Sequence, residues 1–145
     1  MSILFNEEEN KYFELQLISI NDPEWLSYNI HCGKINNQKK LELLSLDNEY
    51  LYFHNSYYEK EVEDIICSLQ NIKELQQYSF SPVDEREFQL KASVKMNKIC
   101  IRLLFLSVDK VVREEIKDNV FEFDTTDVLL NHFLLQLKEE YSTIK

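Results

Sequence analysis

One stretch leaves this chain little freedom in how it folds. From Glu87 to Leu106 it reads Glu-Phe-Gln-Leu-Lys-Ala-Ser-Val-Lys-Met-Asn-Lys-Ile-Cys-Ile-Arg-Leu-Leu-Phe-Leu. Phe88, Leu90, Ala92 and Val94 alternate with Glu87, Gln89, Lys91, Ser93 and Lys95. Ile99, Ile101, Leu103 and Phe105 then share one side against Lys98, Cys100 and Arg102. Apolar residues at every second position line one face of a strand, so the pattern predicts a β-hairpin with one buried face. Met96-Asn97 is the expected turn, because Asn accepts positive φ more readily than most residues.

The rest of the chain reads as material that extends or covers this sheet. Residues 2–5 suggest a short edge strand, and Lys11–Ile20 a longer one with Phe13, Leu15 and Leu17 on one side. Asn21-Asp22-Pro23 is a turn signal. Trp25–Cys32 follows as a strand with Leu26, Tyr28, Ile30 and Cys32 on one face. Gly33–Asn37 is the next expected turn, Lys39–Leu46 resumes the alternation, and Tyr50–His54 reads as a further short strand or an extended approach to a helix. That helix has Asn55 or Ser56 as its cap, with Glu59 at the capping-box distance from Ser56. Val62, Ile65, Ile66, Leu69 and Ile72 form its apolar stripe, and its end is expected between Gln70 and Gln77. Val108–Asp118 is ambiguous and Val120–Phe123 is a strand. Asp124-Thr125-Thr126-Asp127 starts a second helix, with Leu130, Phe133, Leu134, Leu137 and Tyr141 as its stripe. The expectation is α+β: a single twisted, mostly antiparallel β-sheet with two α-helices packed on one face. Its opposite face is left to solvent or a partner. The 145 residues suit one domain, and one glycine and two prolines argue against a phosphate-cradling loop or a linker.

Charge narrows the partners. There are 26 acidic and 16 basic residues, and residues 1–75 carry 14 acidic against 6 basic while residues 76–145 carry 12 against 10. Nucleic-acid binding needs cations that displace counterions, so direct contact with nucleic acid is disfavoured. A basic protein partner suits this balance, as does a simple solubility role. No apolar run approaches the length of a membrane span, and the N-terminus lacks the basic segment of a signal peptide. Cys32, Cys67 and Cys100 are odd in number and widely spaced, which reads as free buried thiols in a reducing cytoplasm.

Chemistry-bearing motifs are wanting. His31, His54 and His132 are scattered, and His31 points to the opposite side of its strand from Cys32, so the two do not share one ion. No G-x-S-x-G, H-E-x-x-H or P-loop pattern occurs. The expectation is no enzyme, no cofactor and no metal. Recognition is better represented. Trp25 and Tyr57 stand beside acids, and Glu59, Glu61 and Asp64 crowd an exposed helix N-terminus. Aromatic anchors next to carboxylates suit a basic, partly apolar protein surface. The same residues also serve as sheet surface and dipole complements.

The layout resembles the WapI family of bacterial immunity proteins, cytoplasmic antitoxins paired with contact-delivered toxins. The resemblance lies in Glu9–Ile18, in the acidic helix Glu59–Leu69, in the Phe88–Phe105 hairpin and in the closing Phe121-Glu-Phe-Asp-Thr-Thr-Asp-Val-Leu-Leu. It spans nearly the whole chain as a pattern of elements. It departs at the start of the first helix, where Tyr57 and Tyr58 replace a Trp-rich stretch. The resemblance implies a protein that binds and blocks a toxin domain, commonly a nuclease, by steric and electrostatic masking. Trp25, Tyr57, Glu59, Glu61 and Asp64 are then the expected contact set. The other class is a structural module that homo-oligomerises through its sheet.

Overall fold

The computed structural model describes residues 1–21, 25–52, 61–82 and 87–144. Its element order is β1 (Ser2–Phe5), β2 (Lys11–Asn21), β3 (Trp25–Asn36), β4 (Lys39–Tyr52), α1 (Glu61–Gln70), α2 (Ile72–Leu75), β5 (Gln77–Phe80), β6 (Phe88–Lys95), β7 (Lys98–Phe105), β8 (Lys110–Val111), β9 (Val120–Thr125) and α3 (Asp127–Ile144). The expected caps of the first helix, Asn55, Ser56 and Glu59, lie outside the described residues, as do Asp22 and Pro23 of the predicted turn.

The hairpin forms where alternation placed it. Lys95 pairs with Lys98, and Met96 and Asn97 take φ of 48° and 68°. Two consecutive left-handed residues make the turn whose twist matches that of the strands it joins. The hairpin is the centre of a four-stranded antiparallel sheet, β5-β6-β7-β9, and a second sheet of five antiparallel strands runs β1-β2-β3-β4-β8.

Among the described residues the architecture is therefore α+β with two sheets and three helices, in place of the single sheet and two helices expected. Alternation reports that a face is buried but not which strands pair, and here each sheet has an apolar inner face. Tyr28 of β3 meets Phe88 of β6 edge-on at 5.8 Å, across the space between the sheets. Folding two sheets over one interior lets each cover part of the other, with the helices filling the remainder. The sheets also touch at a margin. Glu7 N–H donates to the Asp124 carbonyl at 2.9 Å, and Thr125 Oγ1 donates to the Phe5 carbonyl at 2.7 Å.

Four local readings change. The strand expected to stop at Cys32 runs through Gly33 to Asn36, and the turn is Asn37-Gln38, both left-handed. Lys39–Tyr52 is one strand, kinked where Asn48 takes a φ of 57°. The helical region ends at α2, where left-handed Gln76 turns the chain into β5, a strand not foreseen. Of the three thiols expected to be buried, only Cys32 is. Cys67 is exposed and Cys100 half-buried, and all three are free.

Both helical stripes pack as their periodicity predicts. Val62, Ile65, Ile66, Leu69 and Ile72 are buried, as are Leu130, Phe133, Leu134, Leu137 and Tyr141. They join Ile30, Leu44, Ile101 and Phe105 in one core cluster. Helix α3 packs on β1 and β2, with Phe133 against Phe13 at 5.7 Å. Glu140 fastens that helix, accepting hydrogen bonds from Ser2 Oγ and the Leu17 N–H. Among the described residues no helix is long and apolar enough to cross a membrane.

Candidate partner-binding surface

The acids at the start of α1 do not form the open patch expected of them. Glu61 is only 4% exposed. Asp64 is half-buried and accepts a 2.7 Å hydrogen bond from Tyr78 Oη of β5. Burial and the Asp64 carboxylate together hold the Tyr78 phenol far above its usual pKa. Glu63 accepts from Tyr141 Oη of α3 at 3.5 Å, and burial with that carboxylate raises the Tyr141 phenol as well. These carboxylates fasten α1 to the elements around it. Tyr57 and Glu59 lie outside the described residues.

Trp25 belongs to a different surface. Along β3, Leu26, Tyr28, Ile30 and Cys32 point into the core, so Trp25, Ser27, Asn29 and His31 point outward. The five-stranded sheet thus keeps one face away from the helices. At one end of it Trp25 meets Tyr50 of β4 in an edge contact at 6.4 Å, and Tyr50 is 46% exposed. Six residues along β3, about 20 Å away, stands His31.

His31 organises the other end. Its Nδ1 meets Glu42 and its Nε2 lies 3.2 Å from Asp47 Oδ1. Glu14, opposite His31 on β2, pairs with Lys40 Nζ at 2.9 Å, and Lys40 also lies over the Tyr12 ring. Lys110 of β8 comes within 3.8 Å of Glu42. Burial first, then Glu14 and Glu42, pushes the Tyr12 phenol up to about 12.

Two register shifts flank this cluster. Between Cys32 and Gly33, and again between Tyr28 and Ile30, β4 gains a residue against β3. The first turns Glu42 toward the imidazole, while Asp47 is on that face by alternation, two residues along β4 from Ser45, the partner of His31. Gly33 is required at the first shift, since a Cβ there would lie 2.1 Å from the Leu41 carbonyl oxygen. Both ring nitrogens of His31 are engaged by carboxylates on separate sides, so the residue acts as a staple between two turns of β4. Among the described residues no group of three or more His, Cys, Asp and Glu is placed to hold a metal ion.

This face carries an aromatic pair at one end and the half-buried carboxylates of Glu42 and Asp47 at the other, with Glu14 buried beneath Lys40 beside them. Of the expected contact residues that are described, Trp25 is on it, and Glu61 and Asp64 are on α1. Tyr50, beside Glu49, carried the same aromatic-next-to-acid signal in the sequence, and His31 was weighed there only as a metal ligand; Glu14, Glu42 and Asp47 were not singled out, and the outward positions of alternating strands were the signal available for them.

No family model matches the chain, and neither a curated protein nor a solved structure does.

Proposed function

We propose that this chain is an immunity protein, as its resemblance to the WapI family implies. It binds a cognate toxin domain, a basic nuclease by preference, and masks the surface that domain uses on its substrate. The observation that carries this reading is the helix-free face of the five-stranded sheet, where Trp25 and Tyr50 stand along the strands from the Glu42 and Asp47 carboxylates. An aromatic anchor supplies desolvated contact area, and carboxylates complement a cleft built for phosphates. Tyr57 and Glu59 remain in the proposed contact set, whereas Glu61 and Asp64 act through the packing of α1. Inhibition of this kind needs no catalytic group and no cofactor, and it takes place in the cytoplasm.

The alternative, homo-oligomerisation through a sheet edge, has less to support it. Strand β8 has two residues and β5 four, and short edges discourage pairing between molecules. Strand β1 is engaged by α3 through Ile3 N–H and Gln136 Oε1, and β9 by the β1–β2 turn.

Co-expression with the basic domain encoded beside this chain tests the proposal. Growth should be rescued, and association should slow as salt rises. Trp25→Ala should weaken binding by about 2 kcal/mol, roughly thirtyfold, while loss of the ring contact with Tyr50 lowers the chain's own melting temperature by only about 3 °C. Unprotected cells, or a complex indifferent to both Trp25→Ala and salt, would refute it.

A further inference from the structure

The most basic segment of this acidic chain is its central hairpin. Between Phe88 and Phe105 stand Lys91, Lys95, Lys98 and Arg102, with no Asp or Glu among them. Pairing sets all four on the outer face of the four-stranded sheet, Lys91 opposite Arg102 and Lys95 opposite Lys98. One cross-strand row runs Ser79, Lys91, Arg102, Glu122, and its neighbour runs Gln77, Ser93, Cys100, Asp124. The alternate positions, Ala92, Ile101 and Phe123 among them, are buried in the core. Around these rows lies an open concavity of about 730 Å³, lined by Ser79, Gln89, Lys91, Ser93, Lys95 and Arg102 among others.

Its electrostatics are divided. Lys98 is bound by Glu7 at 3.1 Å, and Arg102 Nε lies 3.8 Å from Glu122. Lys91 and Lys95 make no ion pair among the described residues. Among the described residues the acids bordering this face are Glu122 and Asp124 on β9 and Glu7 in the β1–β2 turn, and the charges that β6 and β7 themselves contribute are all positive.

We propose that this face binds an acidic, extended peptide segment of a partner protein, lying along β6 with its carboxylates on Lys91, Lys95 and Arg102. Lys91 and Lys95 are four residues apart on one side of a strand, about 13 Å. Carboxylates four residues apart on an extended peptide have the same spacing and share a side. The small hydroxyls of Ser79 and Ser93 let a backbone come close, and the amides of Gln77 and Gln89 offer both donors and acceptors to it. A nucleic acid fits less well. Tyr78, the aromatic at the margin, is committed to Asp64, and among the described residues the face has no other aromatic on which a base could stack. The inference does not rest on the toxin-binding reading, because it uses the other sheet and the opposite charge.

The test is an NMR titration of the full ¹⁵N-labelled chain with hexaglutamate at about 20 mM ionic strength, where charges are felt over roughly 20 Å. Amide shifts should move along β5, β6 and β7 and stay still on β3 and β4. Lys91→Gln with Lys95→Gln should weaken binding about tenfold, and Glu122→Gln should tighten it about threefold. These side chains are on the outer face, and the thermal unfolding of each variant confirms that its fold is intact. No shift on this face at millimolar peptide would overturn the proposal. So would equal binding by the double variant, or tighter binding of oligothymidylate than of hexaglutamate at the same residues.

Discussion

Gly33→Ala is the sharpest probe of how the outer face of the five-stranded sheet is built. Gly33 has no positive φ, so it is not needed for its conformational freedom. It is needed for space. An added Cβ would lie 2.1 Å from the Leu41 carbonyl oxygen, 3.0 Å from the Leu41 carbonyl carbon and 2.9 Å from Tyr12 Oη. Carbon and oxygen normally approach no closer than about 3.3 Å, so the Leu41 carbonyl must retreat by more than about 1 Å. That carbonyl belongs to β4, paired to β3 on either side through Gly33 with Glu42 and Lys34 with Leu41. It cannot move alone. Overpacking of this kind costs about 1–3 kcal/mol, and a clash with backbone belongs at the upper end, about 3 kcal/mol. For a chain of this size that lowers the melting temperature by roughly 9 °C.

Urea unfolding followed through the fluorescence of Trp25, the single tryptophan, measures the effect in the strand concerned. Combining Gly33→Ala with Tyr12→Phe separates the two obstacles. Removing the hydroxyl leaves the carbonyl in place, so the double variant should recover less than about 1 kcal/mol of the loss. A single variant within about 0.5 kcal/mol of the parent would show that the crowding is not real. Full recovery in the double variant would show that Tyr12 Oη was the only barrier.

Glu140→Ala removes the carboxylate that accepts from Ser2 Oγ and Leu17 N–H. It should cost about 2 kcal/mol and speed hydrogen exchange in β1 ahead of the hairpin. Met96 is 96% exposed with a φ of 48°. Replacing Met96-Asn97 by Asn-Gly should therefore add about 1 kcal/mol of stability in chemical denaturation. The Tyr12 phenol titrates near 10 when unfolded and at about 12 when folded. The folded state then holds the extra proton between those values, so its stability is whole below pH 10 and declines as pH rises toward 12. Tyr78 and Tyr141 are shifted the same way, and urea midpoints between pH 9 and 11 should fall, less steeply for Tyr12→Phe.

What could be read from the sequence follows the range of the interactions. The hairpin was legible because its partner strands are joined by two residues, and the stripe of α3 because all five of its members recur within one element. Strand β5 was not. It has four residues and follows a helix closed by left-handed Gln76 where a glycine would have announced the stop. The division into two sheets was hidden because alternation carries no information about pairing. Glu61 misled for another reason. An acid in a first turn is read as solvated, but its exposure is set by which elements close over it. Glu14, His31, Glu42 and Asp47 are brought together by cross-strand register and the bulge beside Gly33, neither of which leaves a residue pattern.

The charge of the chain takes on a different meaning once the sheets are separated. Acidity kept only for solubility would leave the cations dispersed among the acids. Instead the hairpin holds four cations and no acid, while the outer face of the other sheet gathers Glu14, Glu42 and Asp47. Two faces of different charge, one whose central strands carry only cations and one whose acids stand beside Lys40, Lys110 and His31, predict two independent affinities. Asp47→Asn should weaken a basic partner and leave hexaglutamate binding within about twofold, and Lys95→Gln should do the reverse. Titrating both variants with both ligands at one ionic strength measures the coupling. If either substitution changes both affinities by more than about threefold, the molecule presents one continuous field, and the assignment of separate partners to separate sheets is wrong.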